Sequence, residues 1–119
     1  MKRDIEFTRQ LMLQVEQDDR FNGSGGYGAE SFDPVGHSPE EVAFHLVLLL
    51  DAGLLNGTVT YDVPVVTRLT WSGCEFLANT RDPEIWKTVK AKAEAITGAG
   101  LAMLGRLAEA EVKKRLGLH

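Results

Sequence analysis

Ser38-Pro39-Glu40-Glu41-Val42-Ala43-Phe44-His45-Leu46-Val47-Leu48-Leu49-Leu50-Asp51-Ala52-Gly53-Leu54-Leu55 is the stretch on which the fold turns. It carries its own start and stop signals. Ser38 is a strong N-cap, Pro39 suits the first helical position, and Glu41 stands three residues after the cap. Glu40 and Glu41 meet the positive end of the helix dipole. Gly53 supplies the left-handed residue that ends the helix. Plotted at about 100° per residue, Val42, Leu46, Leu49, Leu50 and Gly53 share one face, which predicts the core side. The opposite face holds Glu40, Phe44, Val47, Leu48 and Asp51. Three of these five are apolar, and a helix that is apolar nearly all round needs cover on both sides. Either the C-terminal helices or a second protein must supply it.

Working outward, residues 3–17 predict a helix with Ile5, Thr8, Leu11, Met12 and Val15 on one side and Phe7 at its edge. Residues 21–37 hold five glycines and Pro34, which excludes a regular helix and predicts a flexible loop with a short edge strand over 31–35. Gly23, Gly25 and Gly28 match the glycine spacing of a dinucleotide loop. No strand precedes them and no helix opens on the last glycine, so the match carries no phosphate cradle. Beyond the central helix, residues 54–62 and 65–70 predict two strands joined by a turn at Asp62-Val63-Pro64. A two-stranded ribbon directly after a helix is, by fold analogy, the wing of a winged-helix domain. Thr70 caps a short helix over 71–79 with Trp71, Cys74, Phe76 and Leu77 as its buried residues. Asp82 and Pro83 open another, with Ile85, Trp86, Val89, Ala93 and Ile96 as its apolar stripe. Thr97-Gly98-Ala99-Gly100 breaks it. A last helix over 101–116 carries Leu101, Leu104, Ala108 and Val112 in one stripe, with Glu109 and Lys113 paired at i, i+4. The expected architecture is α+β: a winged-helix-like domain over 1–80 with a small β ribbon, and a C-terminal helical extension over 81–119 within one structural domain.

The chain of 119 residues has room for one modest core, and its 44% hydrophobic and 25% charged content is ordinary for a globular protein. The net charge of −4 gives no general attraction to nucleic acid or anionic lipid. The charge is unevenly placed. Residues 21–67 contain no Lys or Arg and carry six carboxylates, whereas 68–119 hold nine basic and six acidic side chains. One cysteine, Cys74, excludes an internal disulfide, and no apolar run approaches a membrane span. The expectation is a cytoplasmic protein without a membrane role.

Three blocks carry a resemblance to a known family. The first is Met1-Lys2-Arg3-Asp4 leading into a helix. The second runs from Gly36-His37-Ser38-Pro39-Glu40-Glu41 through His45 to Ala52-Gly53-Leu54-Leu55. The third is Leu69-Thr70-Trp71-x-Gly73-x-x-Phe76-Leu77, followed by Arg81-Asp82 and Trp86. The chain resembles the bacterial and bacteriophage domain-of-unknown-function family 2513, with the glycine break at 98–100 also matching. Cys74 departs from it, since the family often has His there. The resemblance implies a winged-helix-like fold and a bacterial or prophage setting, and implies no activity.

The residues themselves favour binding over catalysis. His37, His45 and His119 lack zinc-ligand spacing, and no cysteine or acid completes a set. Glu40 and Glu41 are adjacent and diverge, which suits capping rather than acid–base work. No catalytic, cofactor or metal residue is expected. The leading expectation is a protein-interaction or dimerisation surface made by Glu40, Phe44, Val47, Leu48 and Asp51. The alternative is a DNA-binding regulator using Arg68 in the ribbon with Arg81, Lys87 and Lys90. The helix in the recognition position bears carboxylates and no cation, which disfavours nucleic acid there.

Overall fold

The structure, a computed structural model, describes residues 1–94 and 101–117. Among them the chain forms five α-helices and a two-stranded antiparallel sheet. In order these are α1 (Ile5–Gln17), α2 (Pro39–Asp51), β1 (Leu55–Thr60), β2 (Val63–Leu69), α3 (Trp71–Asn79), α4 (Pro83–Glu94) and α5 (Leu101–Arg115). Two compact units result, Met1–Cys74 and Glu75–His119.

In the first unit, α1 begins at Asp4, whose side chain accepts from the Phe7 N–H. Its stripe of Phe7, Thr8, Leu11, Met12 and Val15 is buried. The central helix starts as its sequence demands. The Ser38 hydroxyl accepts from the Glu41 N–H and the Glu41 carboxylate accepts from the Ser38 N–H, which closes a capping box. Gly53, at φ +74°, ends it in the left-handed conformation that a side chain disfavours. Val42, Leu46 and Leu49 are buried as the periodicity predicts, while Leu50 is half-buried and Gly53 exposed.

The hairpin corrects the expected turn. Tyr61 and Asp62 both take positive φ, 51° and 63°, and Thr60 pairs with Val63. This is a two-residue turn of the primed kind that matches strand twist. The turn therefore lies earlier than Asp62-Val63-Pro64, and Pro64 belongs to β2. The strand expected over 31–35 is absent. Instead Tyr27 bridges Val66, with hydrogen bonds in both directions, and the Gly23 N–H donates to the Thr67 carbonyl. The glycine loop is thus laid along the free edge of β2 rather than left loose, and a single 3-10 turn follows at Ala29–Ser31.

In α3, Phe76 and Leu77 are buried as expected, but Trp71 is 79% exposed and Cys74 is exposed. The helix turns Gly73 inward in their place. In the second unit, Asp82 caps α4 through the Glu84 and Ile85 N–H groups. Ile85, Trp86, Val89 and Ala93 are buried, and Trp86 meets Phe76 edge-on with ring centroids 6.1 Å apart. Ile96 and His119 lie outside the described residues, and so do the side chains of Leu101 and Leu104. Ala108 is buried and Val112 half-buried. The Glu109–Lys113 pair forms at 3.1 Å. Glu111, two residues from each of these and so on the other side of the helix, is only 6% exposed and sits between Lys92 and Arg115, each at 3.2 Å. Lys92 above all holds its carboxyl below the usual range.

Candidate functional site: an acidic-rimmed groove on the central helix

The geometry of α2 is fixed from its inner side by His45, which is 1% exposed. Its Nδ1 lies 2.7 Å from the Glu41 carbonyl, which can only accept. Its Nε2 accepts from the Asp4 N–H at 2.9 Å. The two contacts together require the Nδ1–H tautomer and tie the start of α1 to the first turn of α2. His37 stacks on Phe7, ring centroids 3.8 Å apart, and its Nδ1 donates to Glu41 Oε2 at 2.9 Å. Asp4 Oδ2 lies 3.9 Å from its Nε2. These histidines are structural partners of the helix start, and no metal-holding group of three or more His, Cys, Asp or Glu occurs among the described residues.

The His37 contact, then the Ser38 N–H, hold the Glu41 carboxyl below the ordinary glutamate value. A depressed folded-state pKa stabilises the fold above about pH 4.5, and the contribution is lost as pH falls through the lowered value. Glu41→Gln keeps the capping geometry without the charge. Wild type should therefore be the more stable of the two at pH 6. In urea denaturation the difference should shrink as pH falls from about 4.5 through the lowered value, where the carboxylate takes up its proton.

On the outer side, Glu40, Ala43, Phe44, Val47 and Leu48 line a groove of about 530 Å³ together with Met1 and Asp62. The structure thus brings together four of the five residues expected to bind a partner. Asp51 is exposed at the end of α2 and does not line the groove. Phe44, Val47 and Leu48 are half-buried. Phe44 is oriented from below, its ring edge-on to His45 at 5.2 Å. Met1, Ala43 and Asp62 were not anticipated. Ala43 lies at i+3 from Glu40, a signal that was available. Asp62 arrives only because the turn falls at Tyr61 and Asp62.

The basic residues of the alternative reading are divided between the units. Arg68 lies on β2, donates to the Leu69 carbonyl at 2.8 Å, and shares a hollow with Glu16, Asp18, Asp19 and Cys74. Arg81, Lys87 and Lys90 belong to the second unit, at the start of and along α4.

Among the described residues, five α-helices with one antiparallel hairpin, and an open apolar groove on the helix before it, define a small mixed α+β protein. No helix among the described residues is long and apolar enough to cross a membrane. The chain belongs to the family described as hypothetical protein (DUF2513), whose model matches residues 2–100. An uncharacterized protein of Haemophilus influenzae is 30% identical over 95 residues, covering 76% of each chain. No solved structure matches significantly.

Proposed function

We propose that this is a winged-helix-like protein-interaction module of a bacterial or prophage setting, working in the cytoplasm by binding rather than catalysis. The single observation that carries the reading is the groove on α2, with an apolar floor of Ala43, Phe44, Val47 and Leu48 left open beside the hairpin. Half-exposed side chains of this kind, on a helix already buried on its other face, mark a docking surface. The β1–β2 hairpin after α2 supports the winged-helix likeness. Against a recognition-helix role stands the sign of the charge. Glu40 and Glu41 occupy the first turn of α2, where phosphates would meet carboxylates.

A photoreactive side chain placed at position 47 in living cells tests the reading. It should give discrete higher-mass adducts that disappear when Phe44→Glu and Leu48→Glu are added in a variant still folded by circular dichroism. The same group at exposed Asn56 should give none. An absence of adducts at position 47, or adducts indifferent to the groove substitutions, would remove the interaction surface from α2.

A further inference from the structure

We infer that the groove on α2 takes a basic amphipathic helix of another protein. This rests on the docking reading above and adds the chemistry of the occupant. Shape is the first argument. Glu40, Ala43, Phe44, Val47 and Leu48 succeed one another at spacings of three, one, three and one along α2, so the groove follows the helix axis for two turns or so, about 12 Å. A furrow of that direction and length matches the i, i+3, i+4, i+7 anchors of a helix laid alongside.

Charge is the second argument. The charged side chains that line the groove are both carboxylates, Glu40 and Asp62. Lys2 and Arg3 follow Met1 in sequence but do not line the groove, and residues 21–67 hold no Lys or Arg. A helix that complements this surface has apolar side chains on one face and Lys or Arg on its flanks. Nucleic acid is repelled by the same rim. A second copy docked groove to groove would set these carboxylates against their own kind. The apolar floor supplies affinity, and the rim selects the sign of the partner.

The test uses the full chain and a fluorescent helical peptide with Leu at i, i+3, i+4 and i+7 and Lys on the flanks. Matched peptides carry Glu or Gln in place of Lys. Anisotropy should show the Lys peptide binding, roughly tenfold or more weakly once Phe44→Glu and Leu48→Glu are introduced. Added salt should weaken it. Glu40→Lys with Asp62→Asn should weaken the Lys peptide and strengthen the Glu peptide; asparagine tolerates the left-handed turn position. Three results seen with a binding peptide or in sedimentation would overturn the inference, and so would the absence of Lys-peptide binding. One is equal binding of the Lys and Glu peptides. Another is Lys-peptide binding untouched by the groove substitutions. The last is a concentration-dependent dimer in sedimentation that Phe44→Glu with Leu48→Glu abolishes, since a second copy would then be the occupant. Adducts at position 47 without Lys-peptide binding would leave the docking surface standing and remove the basic helix.

Discussion

His45→Ala should lower the unfolding free energy by about 3–5 kcal/mol. Two costs add. The ring is 1% exposed, and Phe7 and Phe44 pack around it with centroids 5.0 and 5.2 Å away. Its removal leaves a cavity of aromatic size that rigid neighbours close only in part. The Asp4 N–H, which donates to Nε2, is left without its acceptor beside a buried wall. Two further variants separate these costs. His45→Phe restores volume but not the acceptor, so it should recover only part of the loss. His45→Gln offers an amide oxygen near the position of Nε2 and should keep more of the tie to α1 than phenylalanine does. Equilibrium urea unfolding at neutral pH measures all three. Equal stability of the Phe and Gln variants would mean that the hydrogen bond to Asp4 contributes nothing. A consequence for the groove follows, because Phe44 rests edge-on against His45. The alanine variant should also bind less well on α2, even under conditions where it remains folded.

Gly73→Ala should reverse the usual sign of a glycine-to-alanine change in a helix. Alanine is favoured over glycine by about 1 kcal/mol in an ordinary helix interior. Here a Cβ would lie 2.2 Å from the Leu54 carbonyl oxygen and 3.1 Å from a Leu69 methyl. The first of these is backbone and cannot rotate away. It is also engaged, since the same carbonyl accepts from the Thr70 N–H at 3.2 Å. α3 must therefore shift or the strand entry must distort. The expected loss is about 2–3 kcal/mol net of propensity. Thermal unfolding against a matched change at exposed Ser72→Ala checks it. If Gly73→Ala proves as stable as wild type, the close approach of α3 to Leu54 is not as drawn.

Both positions were visible as residues before they were visible as contacts. Gly73 stood out only as a letter in a block, and Trp71 and Cys74 were expected to be buried beside it. An eight- or nine-residue helix offers several plausible inner faces, and period alone does not choose among them. The choice was made by the Leu54 carbonyl, which admits a helix only where there is no Cβ. His45 stood out in the sequence only as a histidine without ligand spacing. Its Nε2 is met by the Asp4 N–H, 41 positions away at the cap of α1, and no local pattern announces a pairing of that kind. Glu111 is the same lesson in the second unit. Nothing in the sequence singles it out, yet Lys92 from α4 and Arg115 from its own helix make its burial tolerable.

The sequence by itself determined the elements whose signals are local. The capping box, the proline and the closing glycine define α2, and the Asp82 cap with Pro83 defines the start of α4. These depend on hydrogen bonds and backbone angles within a few residues, so the letters suffice. It also placed Glu40, Phe44, Val47 and Leu48 on one face of α2, because helical period is fixed. Tertiary structure decided what depends on distant chain segments. It set the turn at Tyr61 and Asp62, laid the glycine loop along β2, and turned Gly73 inward. It also drew Met1 and Asp62 to the outer face of α2 and so made a groove of it. Such outcomes follow from which surfaces meet in three dimensions, and that is settled by packing the whole unit at once rather than by any stretch alone.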